Sequence, residues 1–138
     1  MKDKEIIRTP QPAGGTETIL IVEDDKANRT YLTVMLSEFG YKTIVAEDGE
    51  EGVSKFMKHN NNIHLLITDI VMPKKDGVDA YNEIKKIRPD IKVLFMSAYF
   101  EETIKQRGII FEDVNFLCKP LNPEKFLRKV REILDGDL

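Results

Sequence analysis

Several features that define other protein classes are scarce in this 138-residue sequence. A single cysteine, Cys118, excludes an internal disulfide and is predicted to be a small buried hydrophobe. The longest apolar runs, such as 19–22 and 93–96, are far shorter than the roughly 20 residues that cross a bilayer. The amino terminus also lacks the apolar stretch of a secretory signal. We therefore expect a cytoplasmic protein without a membrane segment.

An excess of positive charge is lacking as well. The 21 basic and 24 acidic residues are intermixed and give a formal net charge of -3. This pattern predicts neither a basic face that would bind nucleic acid nor a polybasic run that would bind anionic lipid. Protein partners are therefore favoured. The 41% of hydrophobic and 33% of charged residues are typical of a globular protein, and the length suits one domain with its own core.

Short apolar runs alternate with amphipathic segments from Thr18 onward. Residues 1–17 combine charge, proline and the Gly14-Gly15 pair without apolar periodicity, and are predicted to be a flexible linker before a domain over 18–138. The periodicity predicts five strands, at 19–22, 42–46, 64–68, 91–96 and 114–117. It also predicts five helices, at about 31–39, 50–58, 78–87, 101–107 and from 123 onward.

The apolar positions of the first two helices indicate their buried faces. The first helix carries a stripe of Tyr31, Leu32, Met35, Leu36 and Phe39 at helical spacing. Gly40 is predicted to end it, because glycine adopts the left-handed conformation at no steric cost. The second helix is predicted to direct Val53, Phe56 and Met57 inward.

Strict alternation of strands and helices indicates an α/β fold. Such a chain forms parallel strands joined by right-handed crossovers, with helices on both faces of one sheet. Ligands of these sheets bind at the carboxyl ends of the strands. Alternation alone leaves the strand order open.

Acidic residues follow two of the predicted strands. Glu23 and Asp24 come after the first strand and Asp69 comes after the third, so a parallel sheet would bring them to one edge. Carboxylates crowded together repel one another unless a cation compensates, and Mg2+ prefers oxygen ligands. The pattern predicts a Mg2+ site that handles phosphate.

A hydroxyl and an ammonium follow the other two strands near this edge. Ser97 and Lys119 suit phosphoryl oxygens, and Asp69 suits the nucleophile of a phosphoryl transfer. Taken singly, strand-end acids and Ser97 are more often helix caps, and Lys119 is more often a solvated charge. Their coincidence on one edge favours a functional site over these structural roles.

Six short segments resemble the receiver domain of two-component response regulators, over about residues 18–135. They are Glu23-Asp24-Asp25, Thr68-Asp69, Met72-Pro73, Asp76-Gly77, Met96-Ser97-Ala98 and Lys119-Pro120. The resemblance implies a flavodoxin-like, doubly wound (βα)5 three-layer sandwich with parallel strand order 2-1-3-4-5, the order of the chemotaxis receiver that is a standard example of this fold.

The resemblance also implies roles for individual residues. Asp69 is the expected phospho-acceptor from phosphohistidine, Asp24 a direct Mg2+ ligand and Glu23 a ligand through water, with the Val71 backbone carbonyl completing the metal site. The expected domain is a self-phosphorylating and autodephosphorylating acceptor rather than a turnover enzyme.

The remaining roles implied by the resemblance concern switching. Ser97 is expected to hydrogen-bond the phosphoryl group, Lys119 to pair with it, and Phe116 to be the aromatic side chain that moves upon phosphorylation. Lys119-Pro120 is expected to be a cis peptide. Two departures from the family pattern are Glu23, where aspartate is more usual, and Phe116, where tyrosine is common.

The lead-in over 14–20 is similar to the junction before the carboxyl-terminal receiver of hybrid sensor histidine kinases. This favours a hybrid-kinase receiver whose partners are a histidine kinase or a histidine phosphotransfer domain. A homodimer is expected to use the face formed by the fourth strand, the helix predicted at 101–107 and the fifth strand. No output domain is expected after the last helix.

Three alternatives stay open for the function. They are a single-domain response regulator, a degenerate interaction module that is not phosphorylated, and a Mg2+-dependent phosphatase with an aspartyl nucleophile. The phosphatase is disfavoured because its usual Asp-x-Asp signature after the first strand is absent. The degenerate module is disfavoured because Asp24, Asp69, Ser97 and Lys119 are all present.

Overall fold

The computed structural model describes residues 12–98 and 115–136. The strands are β1 Thr18–Val22, β2 Lys42–Ala46, β3 Leu65–Asp69, β4 Lys92–Ser97 and β5 Asn115–Cys118. Within these ranges the helices are α1 Lys26–Glu38, α2 Gly49–His59, α3 Gly77–Ile87 and α4 Pro123–Asp135. The helix predicted at 101–107 lies outside the described residues.

The five strands form one parallel sheet in the order β2-β1-β3-β4-β5, which confirms the predicted doubly wound fold. β1 and β3 are central and almost wholly buried, as expected when helices cover both faces. The register pairs Val22 with Thr68, so the next residues, Glu23 and Asp69, leave the sheet side by side.

Two hydrophobic clusters hold the three layers together. On one face, Ile19, Ile21, Ile67 and Leu94 pack against buried residues of α1 and α4. On the other face, Leu20, Val22, Leu66 and Phe95 pack against buried residues of α2 and α3. Burial of each such side chain contributes about 1.5–3 kcal/mol to the stability of the fold.

All four described helices begin just after the carboxyl ends of strands, and each has a side-chain N-cap. Asp25, Asp48, Asp76 and Asn122 accept hydrogen bonds from backbone N–H groups of the first turns of α1, α2, α3 and α4. An N-cap stabilises a helix by about 1 kcal/mol and fixes where it starts. The caps therefore hold the loops at the carboxyl edge in place.

Three predicted buried side chains are exposed. Met57 is 62% exposed because its neighbour Phe56 takes the inward position, and consecutive helical residues point about 100° apart. Tyr31, which precedes the buried Leu32, is 46% exposed for the same reason. The prediction for Cys118 was wrong because Cys118 is the last residue of β5, an edge strand, and lies exposed.

The segment before β1 contacts the domain at the amino-terminal ends of the strands, away from the carboxyl edge. Gly15 N–H donates to Phe39 O at 3.0 Å, and Arg131 binds both carboxylate oxygens of Glu17, at 2.6 and 3.1 Å. Gly40 has φ 94°, and a side chain there would meet Gly15 O at 2.4 Å, which explains the glycine at the end of α1. The start of the folded unit near Thr18 stays a prediction.

The Glu17–Arg131 pair predicts a pH-dependent loss of stability. Hydrogen bonding to Arg131 lowers the pKa of Glu17 from 4.5 to about 2, so the pair stabilises the fold above pH 4.5 and its contribution disappears as the pH falls towards 2. We expect Glu17→Gln to lower the free energy of unfolding by about 1–2 kcal/mol near neutral pH, a value reduced for partial exposure. Urea titrations across this pH range measure the difference.

A matched control is Glu124→Gln, which removes an exposed pair with Arg128. Its expected effect is about 0.5 kcal/mol or less. A Glu17→Gln effect that persists unchanged at low pH would contradict the prediction.

Among the described residues, no helix has both the length and the apolar character that a membrane span requires.

Candidate functional site

The carboxyl edge of the sheet collects the predicted site residues. Glu23 follows β1, Asp69 ends β3, Ser97 ends β4 and Lys119 follows β5. Because the strands are parallel and adjacent, these four side chains start from neighbouring positions. The structure thus brings together residues that are up to 96 positions apart in the chain.

Lys119 links the two carboxylates that follow the central strands. Its Nζ lies 2.8 Å from Glu23 Oε1 and 2.7 Å from Asp69 Oδ2. Burial raises the pKa of Glu23, against the lowering effect of Lys119. Burial alone would lower the pKa of Lys119, but the hydrogen bonds to Asp69 and Glu23 raise it overall. Lys119 is therefore a charged ammonium held between two acids.

Backbone N–H groups orient the same two carboxylates. Ile70 N–H donates to Asp69 Oδ1 at 2.7 Å, and Asp25 N–H donates to Glu23 Oε2 at 3.1 Å. Each carboxylate is thus hydrogen-bonded at both oxygens, one to Lys119 and one to the backbone. Such groups have little rotational freedom, which suits a site that must present an oxygen in one direction.

The acidic cluster fits a hard divalent cation. One carboxylate oxygen each from Glu23, Asp24 and Asp69 lies within 4.8 Å of the other two. Asp24 is exposed, so one side of the cluster is open to water, which Mg2+ tends to retain as ligand. The donors are all oxygens, and their mutual repulsion is only partly balanced by Lys119. Val71, the other predicted ligand, lies in the loop two residues after Asp69.

The loop between β3 and α3 is held closely against Asp69. Gly77 N–H donates to Ile70 O at 2.8 Å, and a Cβ at Gly77 would lie 2.0 Å from the Asp69 carbonyl oxygen. The Thr68 hydroxyl donates to that same Asp69 oxygen at 2.8 Å. The Asp76-Gly77 pair belongs to the family pattern, but the close approach of Gly77 to Asp69 was not predicted. No sequence signal indicates the contact of the Thr68 hydroxyl with the Asp69 carbonyl.

Ser97 and Phe116 occupy the two strands beyond Asp69. Ser97 is buried, and its carbonyl accepts from Lys119 N–H at 3.0 Å. The Phe116 ring stacks on Phe95 with centroids 5.6 Å apart and an interplanar angle of 28°. The Lys119-Pro120 peptide is cis, as the resemblance implied.

A cleft of about 470 Å³ opens beside the acidic cluster. Glu23 and Lys119 form its polar end, and Tyr31 and Leu121 belong to its mainly apolar lining. Asn28 and Tyr31 come from α1, whereas Pro120 and Leu121 precede α4. A partner approaching Glu23 and Lys119 would therefore contact the amino-terminal half of α1 and the loop after β5.

Curated relatives of several kinds are similar to this chain. A probable transcriptional regulator, ycf27 of Porphyridium aerugineum, is 30% identical over 118 residues, which are 86% of this chain and 48% of the relative. The chain thus spans about half the length of that regulator. Chemotaxis protein CheY of Treponema pallidum is 29% identical, with coverage of 90% and 87%. Sensor kinase CckA of Brucella abortus is 29% identical, with coverage of 97% and 14%.

Two solved structures are also similar to this chain. CheY in a CheX-CheY-BeF3-Mg complex from Borrelia burgdorferi is 32% identical with a TM-score of 0.76, covering 85% of this chain and 88% of that one. The receiver domain of hybrid histidine kinase CckA is 30% identical with a TM-score of 0.73, covering 85% and 98%.

The match to a protein family covers most of the chain. Residues 19–131 match the family described as the response regulator receiver domain. This range contains every described strand except the first residue of β1, and all the candidate site residues. The chain belongs to the response regulator receiver domain family.

Proposed function

We propose that Asp69 accepts a phosphoryl group from a phosphohistidine, with Mg2+ bound beside it, and that phosphorylation switches contacts with protein partners. The observation that carries this proposal is the Lys119 ammonium, 2.7 Å from Asp69 Oδ2, next to a cluster of three carboxylates. A nucleophile, a cation and a set of hard metal ligands therefore meet at one point.

The transfer is an in-line displacement at phosphorus. An Asp69 carboxylate oxygen forms the new P–O bond while the P–N bond to the imidazole breaks, and the imidazole nitrogen takes the electron pair and a proton from water. Lys119 then pairs with phosphoryl oxygens, and the Ser97 hydroxyl donates to one of them. Mg2+ would be held directly by Asp24, Asp69 and the Val71 carbonyl and through water by Glu23, and would supply positive charge against the phosphoryl oxygens.

Phosphorylation is proposed to act on the face that includes β4 and β5. Ser97 ends β4 two residues after Phe95, and Phe116 of β5 stacks on Phe95. A movement of Ser97 towards the phosphoryl group would therefore take place next to this pair of rings. Phe116 has no hydroxyl, so its two positions would differ in packing alone. This face is the proposed surface for partners and for a homodimer.

The proposed parent is a hybrid sensor histidine kinase in the cytoplasm, with histidine kinase or histidine phosphotransfer domains as partners. The similarity to CckA supports it, since the match covers 97% of this chain and only 14% of that kinase. The alternative of a single-domain regulator is supported by T. pallidum CheY, of which the match covers 87%. Phosphoryl transfer between this chain and a phosphorylated histidine phosphotransfer domain, without transfer from a chemotaxis kinase, would favour the hybrid-kinase parent.

Metal removal tests the proposed function directly. We expect incubation with acetyl phosphate and Mg2+ to add one phosphoryl group per chain, observed as a gain in intact mass. EDTA is expected to abolish the gain, because the acidic cluster repels an incoming phosphoryl group unless a cation compensates. A chain that gains no mass with Mg2+ would instead fit the degenerate interaction module.

A further inference from the structure

Arg29 contacts the turn that carries the two acids after β1. Its guanidinium donates from Nη1 to the Glu23 carbonyl oxygen at 2.8 Å and lies 3.5 Å from the Asp24 carbonyl oxygen. Arg29 is in the first turn of α1, one turn after the N-cap Asp25, and its own N–H donates to Asp25 O at 2.9 Å. The side chain therefore reaches back across the turn between β1 and α1.

Lys119 and Arg29, both near the acidic cluster, bind different atoms. Lys119 hydrogen-bonds to the carboxylate oxygens of Glu23 and Asp69, which a metal ion also requires. Arg29 hydrogen-bonds to backbone carbonyls instead, so its contacts do not occupy a carboxylate ligand. A metal ion bound by the carboxylates would therefore leave the Arg29 contacts in place.

Backbone contacts hold Glu23 in addition to the hydrogen bonds of its carboxylate. Its N–H donates to Ala46 O at 3.1 Å, its carbonyl accepts from Arg29, and the residue is fully buried. The Arg29 contact also spans towards Asp24, the exposed acid of the cluster. Loss of the guanidinium would leave the Glu23 carbonyl without this donor and allow the turn to rotate both acids.

We propose that Arg29 is a positioning residue for the metal site: it holds the Glu23–Asp24 turn by its backbone carbonyls, so that both carboxylates face Asp69. This inference rests on the proposed Mg2+ site. It goes beyond it by assigning a role to a side chain that is not a ligand. Groups that orient metal ligands affect affinity strongly, by about 10–100-fold in known sites.

Charge and positioning make opposite predictions for Arg29. Removal of a positive charge beside three carboxylates would by itself strengthen Mg2+ binding. Loss of a positioning contact would weaken it. We expect Arg29→Met to bind Mg2+ about tenfold more weakly than the native chain, measured by isothermal titration calorimetry with MgCl2. Arg29→Lys keeps the charge and one donor to the Glu23 carbonyl, and is expected to recover part of the affinity.

Arg88 offers a matched control elsewhere on the domain. Its guanidinium also donates to two backbone carbonyls, those of Asn60 and Ile63, near the amino end of β3. Arg88→Met removes a similar contact, and we expect its Mg2+ affinity to stay within about twofold of the native value because the sites are distant. Unfolding titrations in EDTA report any general loss of stability in both variants.

The outcomes separate the two proposals. Equal losses of Mg2+ affinity in Arg29→Met and Arg88→Met, or tighter binding by Arg29→Met, would overturn the positioning role. Native affinity in Arg29→Met would do so as well. If the native chain binds Mg2+ but takes up no phosphoryl group, the proposed function fails while the comparison of Arg29 variants still stands. If the native chain binds no Mg2+, both proposals fail.

Discussion

Replacing Asp69 by asparagine is expected to abolish phosphoryl uptake from acetyl phosphate and Mg2+. The carboxamide is neutral and a poor nucleophile, and it removes the negative charge that faces Lys119 at 2.7 Å. Its oxygen can still accept the Ile70 N–H that now binds Asp69 Oδ1, so the local backbone should stay in place. Intact mass before and after incubation measures the loss.

Asp90→Asn is the matched control for this experiment. Asp90 has an 88% exposed side chain and pairs only loosely with Arg88, at 3.6 Å. This variant is expected to take up one phosphoryl group as the native chain does. Uptake that persists in Asp69→Asn would show a different acceptor, and peptide mapping of the modified chain would then distinguish Asp24 from other residues.

Replacing Gly77 by alanine is expected to cause a large loss of stability for the addition of a single methyl group. The added Cβ would lie 2.0 Å from the Asp69 carbonyl oxygen and 2.9 Å from the Thr68 hydroxyl, so the backbone must move. We expect a loss of about 2–3 kcal/mol in the free energy of unfolding. Helix propensity alone predicts the opposite sign, since alanine is favoured over glycine by about 1 kcal/mol.

The same substitution should affect phosphoryl uptake, because the displaced backbone belongs to Asp69, the proposed acceptor. We expect slower phosphoryl uptake by Gly77→Ala at a temperature where the variant remains folded. Asn82→Ala, at an exposed position of the same helix, is the control and should stay within about 0.5 kcal/mol of the native stability. Native-like unfolding of Gly77→Ala in a urea titration would contradict the close contact.

The meeting of Glu23 and Asp69 could be predicted from the sequence alone. Each follows a run of apolar residues, and parallel strands end at one edge of a sheet, so the alternation of elements was sufficient. The order of the strands was not predictable in this way, because local patterns do not encode which strands pair. The order came from the resemblance to a family, and the register between Val22 and Thr68 then places the two acids side by side.

Other parts of the site depend on contacts that no local pattern indicates. In the sequence, Arg29 resembles any charged residue on the surface of a helix. Only the folded path of the chain brings its guanidinium to the Glu23 carbonyl. The stack of Phe116 on Phe95 likewise requires the pairing of β4 with β5. Exposure was mispredicted for Met57 because Phe56, its neighbour in α2, takes the buried position and leaves Met57 62% exposed.

The exposed Cys118 has a practical consequence for studies in solution. It is the single cysteine of the sequence, it precedes Lys119, and it pairs in register with Ser97. A maleimide dye would therefore label each chain once, next to Lys119 of the candidate site, where its fluorescence can be tested as a reporter of phosphorylation. The same thiol can oxidise to an intermolecular disulfide. Sedimentation experiments on a homodimer therefore need a reductant, so that covalent dimers are not counted as regulated association.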